Sequence, residues 1–204
     1  MTYIVGFCGP AQVGKTTTAK ALVKMVNERN DINIKVDHYA FALPLYEACS
    51  KLVNIPVEIL ESAPYKDTPW NEENSPLPFL VGWSPRKFLQ VIGTDLIRTQ
   101  IHTDFWLESA IRNVKDLDIA FMADARFPNE FERCDYLIEL SRDGIQYACN
   151  HPSAMPPDEK FVDEKVDLFH EIDLKPLLER ILQKYREFNN GIYQDKQDKM
   201  FALR

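Results

Sequence analysis

The residues best suited to chemistry stand near the start of the chain, in Gly9-Pro10-Ala11-Gln12-Val13-Gly14-Lys15-Thr16. Two glycines, a lysine and a hydroxyl fill every fixed position of the spacing G-x-x-x-x-G-K-[ST]. Glycines let successive backbone N–H groups turn toward one anion, and a following helix adds the positive end of its dipole. A lysine at that spacing can bridge the β- and γ-phosphates of a nucleoside triphosphate, and the hydroxyl can ligate Mg²⁺. On this reading Gly9, Gln12, Val13, Gly14, Lys15, Thr16 and Thr17 hold ATP, and Lys15 is catalytic. The flanks agree. Tyr3 to Cys8 is a short apolar run suited to a buried parallel strand, and Ala19, Leu22, Val23 and Val26 recur at helical spacing behind the loop.

A triphosphate site leaves the phosphoryl acceptor unnamed, and three polar clusters bear on it. In Arg86 to Arg98, Phe88, Leu89, Ile92 and Leu96 would form the buried stripe of a helix, leaving Arg86, Gln90, Thr94, Asp95 and Arg98 polar. An arginine fork grips two phosphate oxygens at once, and a glutamine can read a base edge. The same residues would equally make a solvated helix face. The second cluster, Asp124-Ala125-Arg126-Phe127-Pro128-Asn129-Glu130, follows the apolar run Ile119 to Ala123. A carboxylate at the C-terminal end of a buried strand lies where open α/β sheets bind ligands. Asp124 could hold Mg²⁺ through water, beside Thr16, or accept from a sugar hydroxyl. Glu130 would stand near Arg126, in the first turn of a helix that Pro128 starts; capping that helix is the alternative role for both carboxylates. In the third cluster, Arg142 could reach the adenine face or the transferring phosphoryl group and His151 could donate to a phosphate, or both are ordinary loop residues.

Positioning such groups takes a sheet. Strand-like runs occur at 3–8, 34–39, 118–123, 136–140 and 166–169, with helical patterns between them, which is the order of a parallel α/β sheet. Pro44 opens a helix through Leu52, Pro56 a short one through Glu61, and Ser84-Pro85 an N-capped third. Thr103 would cap a helix burying Leu107, Ile111 and Val114. Asp173 would cap the last, with Leu177, Leu178, Ile181, Leu182 and Tyr185 on one face. Residues 62–83 hold Pro64, Pro69, Pro76 and Pro78, a long excursion of the functional or mobile kind. Residues 142–160 form a second aperiodic stretch where a lid could sit. The domain expected is 1–188, with an acceptor-side insertion at 44–105, the lid at 142–160 and a tail at 189–204.

Composition narrows the class. The 204 residues, 45% hydrophobic and 27% charged, suffice for one globular α/β domain. A formal net charge of −7 disfavours a nucleic-acid polymer or a membrane surface as partner, but not a small anion held by local cations. Cys8, Cys49, Cys134 and Cys149 have no C-x-x-C spacing and read as reduced cytoplasmic thiols. No stretch reads as a signal peptide or a membrane span.

With the loop before them and "HPSAMPP" after, the blocks "RKFLQVIGTDLIRTQIHTDFW" and "ADARFPNEFE" resemble the deoxynucleoside monophosphate kinases of large bacteriophages over most of residues 3–185. Gly93-Thr94-Asp95 with a downstream Trp106, and the spacing Asp124-x-Arg126-x-x-x-Glu130, carry the resemblance most specifically. It implies a three-layer P-loop kinase fold: a central parallel sheet, helices on both faces, an NMP-binding insertion and a lid. It also implies transfer of the ATP γ-phosphate to a dNMP in the cytoplasm (of the host, if the chain is phage-encoded), with Mg²⁺. Arg86, Trp106, Asp124, Arg126 and Glu130 would then line the acceptor site, joined by Lys66 of "YKDTPW". Trp106 reads equally as a core aromatic. Lys15, Arg126 and Arg142 would be the catalytic cations. Gln90, Thr94, Asp95, Arg98 and His151 complete the candidate acceptor residues, and a homodimer stays open. The chain departs from the family pattern at Tyr46, often lysine, and at Ala154, often glutamate. Phosphomevalonate kinases share parts of the pattern, so phosphomevalonate or dephospho-coenzyme A remain alternative acceptors. A nucleotide-dependent switch is disfavoured, since no N-K-x-D motif occurs.

Overall fold

A computed structural model describes residues 1–147, 155–168 and 173–191. Five strands, β1 (Tyr3–Cys8), β2 (Val36–Tyr39), β3 (Ile119–Met122), β4 (Tyr136–Ser141) and β5 (Glu164–Asp167), form one sheet in the order β2-β3-β1-β4-β5. All four pairings are parallel, with Val5 opposite both Phe121 and Tyr136. Strand β1 is buried along its whole length, as an apolar run at the centre of a parallel sheet must be. Connections leaving β1 run toward one edge and those leaving β4 toward the other. The crevice at the carboxyl ends of these two strands is where open α/β sheets take ligands.

Helices α1 (Lys15–Asn27) and α7 (Lys175–Asn189) cover the face that carries Tyr3, Val5 and Phe7, burying Ala19, Leu22 and Val26 of one and Leu177, Leu178, Ile181 and Leu182 of the other. The N-cap position of α7 falls at Leu174 and carries no side-chain cap, so Asp173 is not the cap its sequence position suggests; it accepts the Lys175 N–H at 3.0 Å from one residue further out, as a local aspartate turn does. On the opposite face Cys134, just after helix α6 (Pro128–Arg133), presses on Gly6. A Cβ at Gly6 would stand 2.3 Å from its Sγ, so glycine is required there by approach and not by backbone angle. This is the three-layer α/β arrangement of P-loop kinases.

The chain divides into two compact units, Met1–Phe41 with Asn113–Arg204, and Ala42–Arg112. The second has its own core: Cys49, Val53, Leu60, Trp70, Leu80, Phe88 and Leu89. It holds α2 (Leu43–Val53), α3 (Val57–Glu61), α4 (Pro85–Gln90) and most of α5 (Phe105–Val114). The proline-rich excursion is anchored at Trp70, which is buried, donates its backbone N–H to Trp83 O and accepts that of Gly82. Ser84 caps α4 by accepting the Lys87 N–H.

Two sequence expectations change here. Beyond Gln90 the helix widens to π geometry from Val91 to Ile101. The α-helical period that put Leu96 on the buried stripe no longer applies there, and Leu96 is 47% exposed. The last strand begins at Glu164, earlier than the run at 166–169, because an edge strand with alternating exposure has no continuous apolar signal. Helix α5 starts at Phe105. Among the described residues no helix is long and apolar enough to cross a membrane.

Candidate active site

The loop between β1 and α1 departs from ordinary backbone at three points. Gly9 (φ 135°), Gln12 (φ 63°) and Gly14 (φ 116°) all take positive φ. Gly9 and Gly14 take φ values that favour glycine, and an L side chain at Gly9 would stand 2.4 Å from Leu140 O. Helix α1 then begins at Lys15 with no side-chain cap and no acidic residue in its first turn. An uncapped start with outward N–H groups and a positive dipole end is an anion site in waiting. Val13 of the loop is buried, while Gln12, Thr16 and Thr17 are exposed.

Lys15 Nζ donates to Gly9 O at 2.8 Å and to Pro10 O at 2.7 Å, so the lysine lies folded across its own loop. Burial, and then the charge of Arg126, lower its pKa from 10.5 to about 8. Asp124 and Cys8 oppose that shift, which sets Lys15, Arg126 and Asp124 within one electrostatic neighbourhood.

Asp124 is buried just past the end of β3. One carboxylate oxygen accepts the Phe41 N–H at 2.5 Å, a bond across 83 residues that fixes the group where β2 and β3 both end. Glu130, 2% exposed, directs Oε2 to the backbone N–H of Arg126 at 2.8 Å and of Phe127 at 3.2 Å. It closes the start of α6 as an acid reaching back from the first turn. Through these bonds Glu130 orients the main chain of the half-buried Arg126. Arg142, just past β4, stands beside the loop: a Cβ on Gly14 would lie 3.3 Å from its Nη2. The first unit thus gathers Lys15, Arg126 and Arg142 around one glycine-rich turn.

In the second unit Trp106 is buried and donates its indole N–H to Gly93 O at 3.0 Å. Gly93 is packed so tightly that a Cβ would meet Leu45 Cδ2 at 2.5 Å. Trp106 therefore ties α5 to the π segment, and its N–H is already engaged. Within that segment Thr94 O accepts the Thr99 hydroxyl, and Arg98 donates to Thr103 O at 3.1 Å. Asp95 is exposed and Gln90 is half-buried. Arg86 is paired through two hydrogen bonds with Asp67, and Lys66 lies over the Tyr46 ring. No local pattern in the sequence marks Asp67, because its partner stands 19 residues away. His151 and Ala154 lie outside the described residues.

No family model matches the chain. It is 25% identical to the "Deoxynucleoside-5'-monophosphate kinase" of Escherichia phage T5, over 79% of this chain and 81% of that protein. It is 28% identical to a protein of Acanthamoeba polyphaga mimivirus named "Putative deoxynucleotide monophosphate kinase", over 74% of this chain and 79% of that one.

Proposed function

We propose that this protein transfers the γ-phosphoryl group of ATP to a deoxynucleoside monophosphate, giving the diphosphate. The observation that carries this reading is the uncapped, positive-φ loop with Lys15 folded across it and Arg126 and Arg142 beside it. The names of the two viral proteins support the acceptor class.

The acceptor's nucleophile is an oxygen of an ionised phosphate, so no general base is needed. The task is to hold two polyanions in line and to spread the charge between them. On binding a triphosphate, Lys15 Nζ exchanges the carbonyls of Gly9 and Pro10 for the β- and γ-phosphate oxygens. The α1 amides take the phosphates end-on. Arg126 and Arg142 counter the charge on the moving phosphoryl group and the acceptor. Glu130 keeps the Arg126 backbone in place through its bonds to residues 126 and 127. Arg86 and Lys66 serve the acceptor, with Gln90, Thr94, Asp95 and Arg98 on the same unit.

Mg²⁺ fits the donor set. Thr16 offers an exposed hydroxyl at the start of α1, and Asp124 a hard carboxylate at the end of β3. Mg²⁺ takes few protein carboxylates and most of its ligands from phosphate and water. When bound, the ion neutralises charge on the β- and γ-phosphate oxygens. We place the reaction in the cytoplasm, where ATP and reduced thiols coexist; Cys8, Cys49 and Cys134 are buried and form no disulfide among the described residues.

The test is a coupled ADP-release assay with a panel of dNMPs, NMPs and phosphomevalonate. Several dNMPs should be phosphorylated and phosphomevalonate should not. Lys15→Ala should remove turnover while the circular dichroism spectrum is kept. Activity confined to phosphomevalonate, or ADP release indifferent to any acceptor, would reject the nucleotide kinase reading.

A further inference from the structure

Four side chains of the second unit, Tyr46, Lys66, Asp67 and Arg86, meet from α2, the 3₁₀ turn Tyr65–Asp67 and α4. Arg86 gives one edge of its guanidinium to Asp67: Nε donates to Oδ1, and Nη2 donates to Oδ2 at 3.2 Å. The other edge, Nη1 with the second Nη2 proton, meets no acceptor among the described residues. A guanidinium carries five N–H donors in a rigid planar fork, so its side edge and end edge can serve two different acids at once. Lys66 Nζ lies 5.6 Å from the Tyr46 ring centroid and makes no ion pair among the described residues. Two cations against one carboxylate leave a positive balance and open donors on both.

The Arg86 and Asp67 side chains are 45% and 53% exposed, and a pair so exposed adds little to folding. Its consequence is orientation. An unpaired arginine samples many rotamers, whereas one held along Nε and Nη2 has its end edge aimed before a ligand arrives. The hydrogen bond from Arg86 holds the Asp67 carboxyl below its ordinary value, so the pair persists at neutral and mildly acidic pH.

We propose that Asp67 is a positioning residue: it locks the side edge of the Arg86 fork so that the end edge receives the phosphate of the monophosphate acceptor, with Lys66, seated on Tyr46, as the second cation. The proposal rests on the kinase reading above. It assigns Asp67 a constructive role and not that of a competing anion, because the edge it occupies is not the one left open.

Steady-state kinetics of Asp67→Asn beside direct calorimetric titration with dNMP in the absence of ATP tests this. The substitution removes the charge and one of the two acceptor oxygens. KM and Kd for dNMP should rise about tenfold, while kcat and the KM for ATP stay within about twofold. Asp67→Glu should recover most of the loss. Arg86→Lys, which keeps the charge and loses the fork, should raise the same KM. Adding Asp67→Asn to it should then raise KM little further, since the two act through one contact. A dNMP KM that is unchanged or falls in Asp67→Asn would overturn the proposal, as would an equal rise in the KM for ATP. If the wild-type protein neither binds nor phosphorylates any dNMP, the kinase reading fails and the proposal with it. If the wild type is active and only the Asp67 variants behave otherwise, the proposal alone is lost.

Discussion

Lys15 holds its proton less firmly than an ordinary lysine, since burial and the Arg126 charge lower its pKa to about 8. In the unfolded chain the same group titrates at its ordinary 10.5. Between those values the unfolded state binds more protons, so Lys15 works against folding below about 8 and that burden lifts as pH rises toward 10.5. Ligand binding has the opposite sign. A triphosphate favours the ammonium form, so above pH 8 its binding takes up a proton and weakens as pH rises, by up to about tenfold per unit. Titration with a non-hydrolysable ATP analogue at pH 7, 8 and 9 should show this. Lys15→Arg should remove the dependence, because a guanidinium does not titrate in that range. An affinity equally flat in both proteins would show that Lys15 does not meet the phosphates.

The stretch from Pro85 to Ile101 shows how one element is set by contacts at its ends. Ser84 caps its start and the first turn is α-helical. Beyond Gln90 the turns widen, with Gly93 pressed on Leu45 and its carbonyl taken by Trp106. Wide turns of this kind are rare and need support from outside the helix. Trp106→Phe keeps most of the buried ring and deletes the N–H donor, leaving Gly93 O only its place in the π turns. Urea unfolding should show a loss of about 0.5–1.5 kcal/mol, the net worth of one hydrogen bond. A loss much below that range would mean that the π segment holds without the indole. The variant's dNMP kinetics would then report whether the shape of this segment matters to the acceptor.

At the scale of the molecule, the two compact units have separate cores. All three tryptophans, Trp70, Trp83 and Trp106, belong to Ala42–Arg112, whereas the sheet belongs to the other unit. Tryptophan fluorescence therefore reports the second unit, and far-ultraviolet circular dichroism reports both. Leu60 is fully buried in the second core, so Leu60→Ala should destabilise that unit by about 2–5 kcal/mol. The denaturant midpoint by fluorescence should fall further than the midpoint by circular dichroism. Coincident midpoints in the variant would mean that the units unfold as one cooperative body.

The sequence by itself determined what depends on neighbours along the chain. The strand Tyr3–Cys8, the glycine turn, the start of α1, the Ser84 cap and the apolar face of α7 are local patterns of spacing and propensity, and they appear where those patterns predict. Tertiary structure decided what depends on partners far along the chain. The Phe41 amide on Asp124 joins residues 83 apart, the Asp67–Arg86 pair spans 19, and the π turns answer to Leu45 and Trp106. Glu130 lies between these cases. Its spacing offered two roles, beside Arg126 or as a cap of the Pro128 helix, and the fold sets its carboxylate on the backbone N–H groups of Arg126 and Phe127. A local preference is set by the residues beside it, whereas a side chain's partner is set by which segments the core brings together.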